Sequence, residues 1–298
     1  MTEKRYTGRF APSPTGDPHL GTLIAAVASY LQARVNHGDW LLRIEDVDTT
    51  RRVAGAEDAM LRTLDRFGFE WDGDVIRQSA RTAIYQQALD QLDAEDLVFP
   101  CTCSRKLLAQ TAVEQSGIYP GTCRTRQLPF AHEHAIRLRV PERTLGFDDR
   151  IIGEYRQSLA TECGDFVIKR RDGLFAYQLA VVVDDALQGV TEVVRGADLL
   201  ESTPRQIYLQ QCLNHPSPAY CHIPLILDPT GRKLSKSEGA AGLNPDRPAP
   251  SLLAALNHLG QQAPEELGHA GTTDIWQWAI ENWDIGKIPL AHATLYNG

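Results

Sequence analysis

A chain of 298 residues, 43% hydrophobic and 23% charged, has room for one large domain or two modest ones and the composition of an ordinary globular protein. Its start, MTEKRYTGRF, lacks the apolar core of a signal peptide, and no stretch approaches the roughly 20 apolar residues of a membrane span, so a cytoplasmic protein without a membrane partner is expected. The net charge of −8 argues against an unspecific grip on nucleic acid, yet it is uneven: residues 53–98 hold 4 basic and 10 acidic groups, residues 99–143 hold 7 and 3.

In chain order, Arg5–Phe10 reads as a short strand that ends in the Pro- and Gly-rich stretch APSPTGDPHLG. Leu20, Leu23, Ile24, Val27, Leu31 and Val35 then recur at three- and four-residue steps, which predicts a helix. Trp40–Ile44 reads as a buried strand, followed by a helix around 55–67. Alternation of this kind implies an α/β fold with a parallel sheet and crossover helices. Ligands of such sheets bind at the carboxyl ends of the strands, so the APSPTGDPHLG loop and the Glu45-Asp46 pair should share one crevice. From about 87 to 173 the alternation lapses where cysteines and basic residues gather, and this stretch is expected to be an insertion. The pattern resumes with a helix at Ala176–Leu187, a strand at Val190–Arg195, and a helix capped by Thr203 with Pro204 in its first turn. A strand at His222–Leu227 leads into DPTGRKLSKSEG, and the last 58 residues are mostly helical in pattern, with Trp276, Ile280 and Trp283 on one core-facing side. The expected division is 1–86, 87–173, 174–212 and 213–298.

Three groups of residues carry chemistry. His19 and Gly21 open the first helix, where unpaired backbone N–H groups and the positive dipole end suit a phosphate. Lys233 and Lys236 flank small hydroxyl residues in KLSKS and can place positive charge on polyphosphate oxygens. Cys101, Cys103 and Cys123 form a C-x-C plus a third thiol, which in a cytosolic chain indicates a metal rather than disulfides. Zinc takes four ligands in a tetrahedron, and the fourth is Tyr119 or a histidine of His132-Glu133-His134. Cys163, Cys212 and Cys221 are expected in the core. Phosphates of an RNA would meet Arg105, Lys106, Arg124, Arg126, Arg137 and Arg139.

HLGT and KLSKS, in this order and about 215 residues apart, stand where class I aminoacyl-tRNA synthetases carry HIGH and KMSKS. The strings GRFAPSPTGDPHLGTL, Tyr177 to Asp185 (YQLAVVVDD), Gly189 to Gly196 (GVTEVVRG) and Ser202 to Arg205 (STPR) strengthen the likeness. Over roughly residues 5–240 the chain resembles the glutamyl members of that family. The resemblance implies a Rossmann-type catalytic core with a zinc-bearing, acceptor-binding-like insertion and a short helical C-terminal region, activating glutamate with ATP and Mg2+. It implies glutamate held by Arg9, Ala11, Ser13, Glu45, Tyr177 and Arg195, and ATP by Pro12, His19, Gly21, Lys233 and Lys236. His19, Lys233 and Lys236 then carry the catalysis, and Cys101, Cys103, Tyr119 and Cys123 hold one structural zinc. Val181 departs from the pattern, standing where some glutamyl enzymes have an asparagine. After KLSKS 61 residues remain, and no anticodon-binding domain is expected in them. This narrows the resemblance to the short glutamyl-Q tRNA(Asp) synthetases, which attach glutamate to queuosine in the anticodon of tRNA(Asp); a monomer that docks the anticodon stem-loop is expected. The alternatives are a truncated glutamyl-tRNA synthetase charging tRNA(Glu), a nucleotidyltransferase of the HIGH superfamily with a small-molecule acceptor, and a catalytically silent RNA-binding paralogue, against which the intact His19, Glu45, Lys233 and Lys236 argue.

Overall fold

The computed structural model describes residues 5–104, 107–108, 118–131, 133–227 and 243–295. Its strands are β1 (Thr7–Phe10), β2 (Asp39–Ile44), β3 (Ile76–Arg77), β4 (Val98–Cys101), β5 (Ala135–Leu138), β6 (Thr144–Asp149), β7 (Gly153–Ser158), β8 (Val167–Lys169), β9 (Glu192–Gly196), β10 (Ala219–Ile223), β11 (Leu225–Leu227) and β12 (Ala293–Leu295). The longer helices are α1 (Leu20–Val35), α2 (Ala56–Arg66), α3 (Thr82–Ala94), α4 (Tyr177–Leu187), α5 (Thr203–Cys212), α6 (Pro248–His258) and α7 (Thr272–Asn282).

The strands β1, β2 and β3 form one parallel sheet, with α1 as the crossover from β1 to β2. A second sheet runs β7-β6-β10-β9. The two sheets meet edge to edge, where the Thr191 amide donates to the Thr7 carbonyl and the Thr7 amide donates to the Thr191 hydroxyl, both at 2.9 Å. The ends of β1, β2 and β9 thereby converge on one cleft, as expected for an α/β core. Helix α1 is buried on nearly every side, from Leu23 to Ala33, because it lies between this sheet and α6 and α7. Tyr30 packs edge-on against Trp40 and Trp276 with ring centroids 5.1 and 4.8 Å away, and Trp276 donates its indole N–H to the Phe67 carbonyl.

Residues 87–173 carry strands that periodicity alone did not reveal. An antiparallel sheet, β4-β5-β8, bears the cysteines, whereas β6 and β7 join β9 and β10 in the catalytic-side sheet. The strands β4 and β5, four residues each and buried throughout, leave no alternation to read. Two boundaries differ from expectation. The cap of α5 is Ser202, with Thr203 and Pro204 inside its first turn, and the Thr203 hydroxyl serves Arg195 instead. The expected strand at His222–Leu227 is two strands parted at Pro224, which has no N–H to continue a ladder. No helix among the described residues is long and apolar enough to cross a membrane.

Candidate active site

Arg9 sits near the end of β1 and Arg195 near the end of β9, both almost sealed from solvent. Glu45 follows β2, its amide donating to the Pro12 carbonyl at 2.9 Å, so the APSPTG loop and the β2 end are stitched together. Tyr177 opens α4. These residues form one electrostatic cluster. The Glu45 carboxyl is pushed up by burial and pulled back by Arg43 and Arg9. The Tyr177 phenol is raised by burial and by Glu45, against the pull of Arg195 and Arg9. Two cations and one carboxylate around a single cleft fit an amino acid with two carboxylates and one ammonium. Ser13 is exposed on the loop, and Val181 lies in the core at 1% exposure.

Beneath the cleft lies a charge network absent from the sequence-based reading. Arg43 is fully buried, 2.8 Å from Asp185, 3.3 Å from Glu45 and 3.9 Å from Asp184, and donates to Gln188 at 2.7 Å. Asp185 also accepts from Arg9 Nε at 3.3 Å, while Asp184 accepts from Gln78, Arg81 and Tyr85 at 2.9, 2.7 and 2.7 Å. Burial works against ionised Asp185, but Arg9 and Arg43 prevail and hold it below its ordinary value. The signal was present as two adjacent acids inside the apolar run VVVDDAL, a position that demands buried partners.

At the start of α1, His19 is the helix cap: its Nδ1 accepts the Thr22 amide at 3.2 Å. That places the proton of the neutral ring on Nε2, which lies 3.2 Å from the Thr22 hydroxyl. A cavity of about 210 Å³ opens here, lined by His19, Gly21, Thr22, Gly196, Asp198 and Leu225 among others. A side chain at 196 would place its Cβ 2.7 Å from Asp198 Oδ1 and 3.3 Å from Leu225, so glycine keeps this wall open. Lys233 and Lys236 lie outside the described residues.

In the β4-β5-β8 region the sulfurs of Cys101, Cys103 and Cys123 all lie within 4.8 Å of one another, all buried. The Tyr119 hydroxyl is 3.4 Å from Cys101 Sγ and 3.6 Å from Cys103 Sγ, and Cys103 and Cys123 sulfurs are 3.6 Å apart. A tetrahedral zinc with bonds of ~2.3 Å to sulfur and ~2.0 Å to oxygen would set its sulfurs about 3.8 Å apart and the oxygen about 3.5 Å from each. The three thiols and the phenol therefore fit one such ion. Burial pushes the Cys123 thiol up, but hydrogen bonds from Tyr119, Thr102 and Cys103 outweigh it and bring it down to about 6. Arg137 donates to Cys101 Sγ at 3.3 Å and lies 3.8 Å over the Tyr119 ring, so it belongs to this centre and is not available to RNA phosphate. His134 is engaged with the Pro129 carbonyl instead; His132, Arg105 and Lys106 lie outside the described residues. Arg124 is tied to Asp165 at 2.6 Å, Arg139 bonds the Asp96 and Arg124 carbonyls, and Arg126 is exposed. Cys163 and Cys221 are buried and Cys212 half-buried.

Residues 6–247 match the family model for the catalytic domain of class I tRNA synthetases (E and Q). The chain belongs to this family. It is therefore a class I synthetase-type ligase, with ATP as a substrate. It is 56% identical over 294 residues to the glutamyl-Q tRNA(Asp) synthetase of Ectopseudomonas mendocina (strain ymp), covering 97% of this chain and 98% of that one. The Pseudomonas aeruginosa (strain PAO1) protein of the same name is 54% identical over 291 residues, covering 97% of each. Among solved structures, a glutamate-tRNA synthetase from Elizabethkingia anophelis superposes with a TM-score of 0.81 at 26% identity, over 99% of this chain and 68% of that one.

Proposed function

We propose that the protein activates glutamate with ATP and transfers it to queuosine in the anticodon of tRNA(Asp). The observation that carries this is the near-full-length likeness, at more than half the positions, to proteins named for that activity. The cleft supports it chemically. Arg9 and Arg195 receive the two carboxylates of glutamate, and Glu45, ionised beside Arg43, receives the ammonium. Ala11, Ser13 and Tyr177 complete that pocket, while Pro12, His19, Gly21 and the KLSKS lysines, Lys233 and Lys236, hold ATP.

Held in this way, the α-carboxylate attacks the α-phosphorus of ATP in line; the bond to the β-phosphate oxygen breaks and pyrophosphate leaves. No general base is required, because the attacking carboxylate is already ionised at neutral pH. The His19 Nε2–H exchanges the Thr22 hydroxyl for a phosphate oxygen, and the α1 N-terminus adds backbone donors. Magnesium enters with ATP as its counter-ion and supplies charge neutralisation. Cys101, Cys103, Cys123 and Tyr119 would hold a structural zinc, which would tie the Tyr119–Cys123 turn to β4, with Arg137 offsetting the excess thiolate charge. Of the named candidates that lie among the described residues, the exposed Arg126 is the one left available to RNA phosphate.

The test offers labelled glutamate and ATP to queuosine-containing tRNA(Asp), queuosine-free tRNA(Asp) and tRNA(Glu). Label in the first alone is the expected result. Label in tRNA(Glu) alone, or equal label in both forms of tRNA(Asp), overturns the acceptor assignment.

A further inference from the structure

Arg195 is anchored by groups that begin two strands away. In the parallel register of β9 and β10, Arg195 pairs with His222, and in that of β10 and β6, Tyr220 pairs with Asp149. Three neighbouring strands thus deliver Asp149, His222 and Arg195 in a row, with 4%, 0% and 5% of their surfaces exposed, a degree of burial at which an unmatched polar group is costly. Asp149 Oδ2 lies 2.6 Å from His222 Nδ1. The Asp149 carboxylate also accepts the backbone amides of Ile151, Ile152 and His222 at 3.0 to 3.2 Å. On the far side of the ring, Arg195 Nε donates to His222 Nε2 at 3.0 Å, and the Thr203 hydroxyl lies 3.1 Å from the same nitrogen.

An arginine Nε–H can only donate, so His222 Nε2 must accept and the ring proton must be on Nδ1, facing the carboxylate. Burial drives His222 toward the neutral form against the pull of Asp149, consistent with an Asp anion beside a neutral imidazole. Of the five N–H groups of a guanidinium, those of Arg195 also reach Gln206, Thr203 and the Leu199 carbonyl. Among the described residues this leaves one N–H, on Nη1, without a partner. We propose that Asp149 and His222 are positioning residues for the amino-acid substrate: Asp149 sets the His222 tautomer, and His222 locks the Arg195 fork in the one orientation that presents its remaining N–H to a substrate carboxylate. This rests on Arg195 being a glutamate ligand, as read above.

Asp149→Asn tests it with a nearly isosteric change. The asparagine oxygen still accepts the backbone amides, but its NH₂ now faces His222 Nδ1. The ring proton moves to Nε2 and meets the Arg195 N–H donor to donor. In glutamate-dependent ATP–pyrophosphate exchange, the KM for glutamate should rise about ten-fold or more, the usual scale for a buried donor left unpaired, while the KM for ATP stays within about two-fold. The ¹⁵N spectrum should show the His222 proton shift from Nδ1 to Nε2, a change that a purely structural role does not require. A second pair guards against misfolding. His222→Gln, whose amide oxygen can accept from Arg195, should keep a glutamate KM well below that of His222→Leu. An unchanged KM in Asp149→Asn, or equal values for the Gln and Leu variants, overturns the proposal. Arg195→Lys separates the two readings: if it leaves the glutamate KM unaltered, the pocket assignment itself has failed, whereas a raised KM there with unaltered Asp149 and His222 variants rejects the relay alone.

Discussion

Replacing Arg43 by methionine keeps the volume of a buried side chain and deletes the charge that three carboxylates share. At the observed 2.8, 3.3 and 3.9 Å to Asp185, Glu45 and Asp184, each attraction is worth roughly 4–6 kcal/mol at an effective dielectric of about 20. Most of this offsets the desolvation of four buried groups, and Asp184 keeps Arg81, Gln78 and Tyr85 while Asp185 keeps Arg9. The net loss should be near ~3–5 kcal/mol, the cost of breaking a buried pair from one side. Its pH dependence has a definite sign. Asp185 is held low in the wild type, so its contribution is present above its unfolded pKa and fades as pH falls through the lower folded value. Without Arg43 the Asp185 and Glu45 carboxyls rise, and a raised group is tolerated when protonated and costly when ionised. The stability gap between wild type and Arg43→Met is therefore widest at neutral pH and narrows as pH falls through the carboxylate range. The same shift acts on function: Glu45, already raised by burial, must be ionised to receive the substrate ammonium. The KM for glutamate should rise on acidification in both proteins, and from a higher pH in the variant. Urea denaturation across neutral and acid pH, with exchange kinetics alongside, measures both effects. A loss below about 1 kcal/mol at neutral pH, or a gap that widens on acidification, refutes the reasoning.

Two further outcomes are expected. Metal analysis should find one zinc per chain; Cys103→Ser should lose it, and Tyr119→Phe should release it to a chelator about ten-fold more readily or faster still, whereas metal-free protein with an unaltered fold rejects the centre. Gly196→Ala puts a methyl 2.7 Å from Asp198 Oδ1 on the wall of the cavity at His19, so the KM for ATP should rise about ten-fold with a smaller effect on glutamate; an unaltered KM for ATP places the nucleotide elsewhere.

The α/β core was legible in the sequence because its signals are local. The six apolar positions from Leu20 to Val35 coincide with α1, and the apolar run Trp40–Ile44 with β2, since helical spacing and a short apolar run can each be read within the segment itself. The residues proposed for the glutamate and nucleotide pockets were named for another reason: their types and order resemble those of a family, and that likeness needs no coordinates. Even the cysteine cluster announced itself by spacing and rarity.

Other features exist only as distances between remote segments. The partners of Asp184 come from β2, the turn before α3 and α3 itself, 99 to 141 residues earlier in the chain, and no periodicity links them. Arg137 counted as a basic surface residue until the fold laid it over the Tyr119 ring. Tyr119 and the histidines were equal candidates on spacing, and the 3.4 and 3.6 Å approach of its hydroxyl to two sulfurs favours the tyrosine. The final strand β12 pairs with β11, which helps line the cavity at His19, although the three residues Ala293–Leu295 carry no strand signal of their own. The sequence by itself determined the leading elements of the α/β core and which chemical groups are available. The tertiary structure alone decided which charges are buried together, because burial and pairing depend on separations in space that the chain order does not contain.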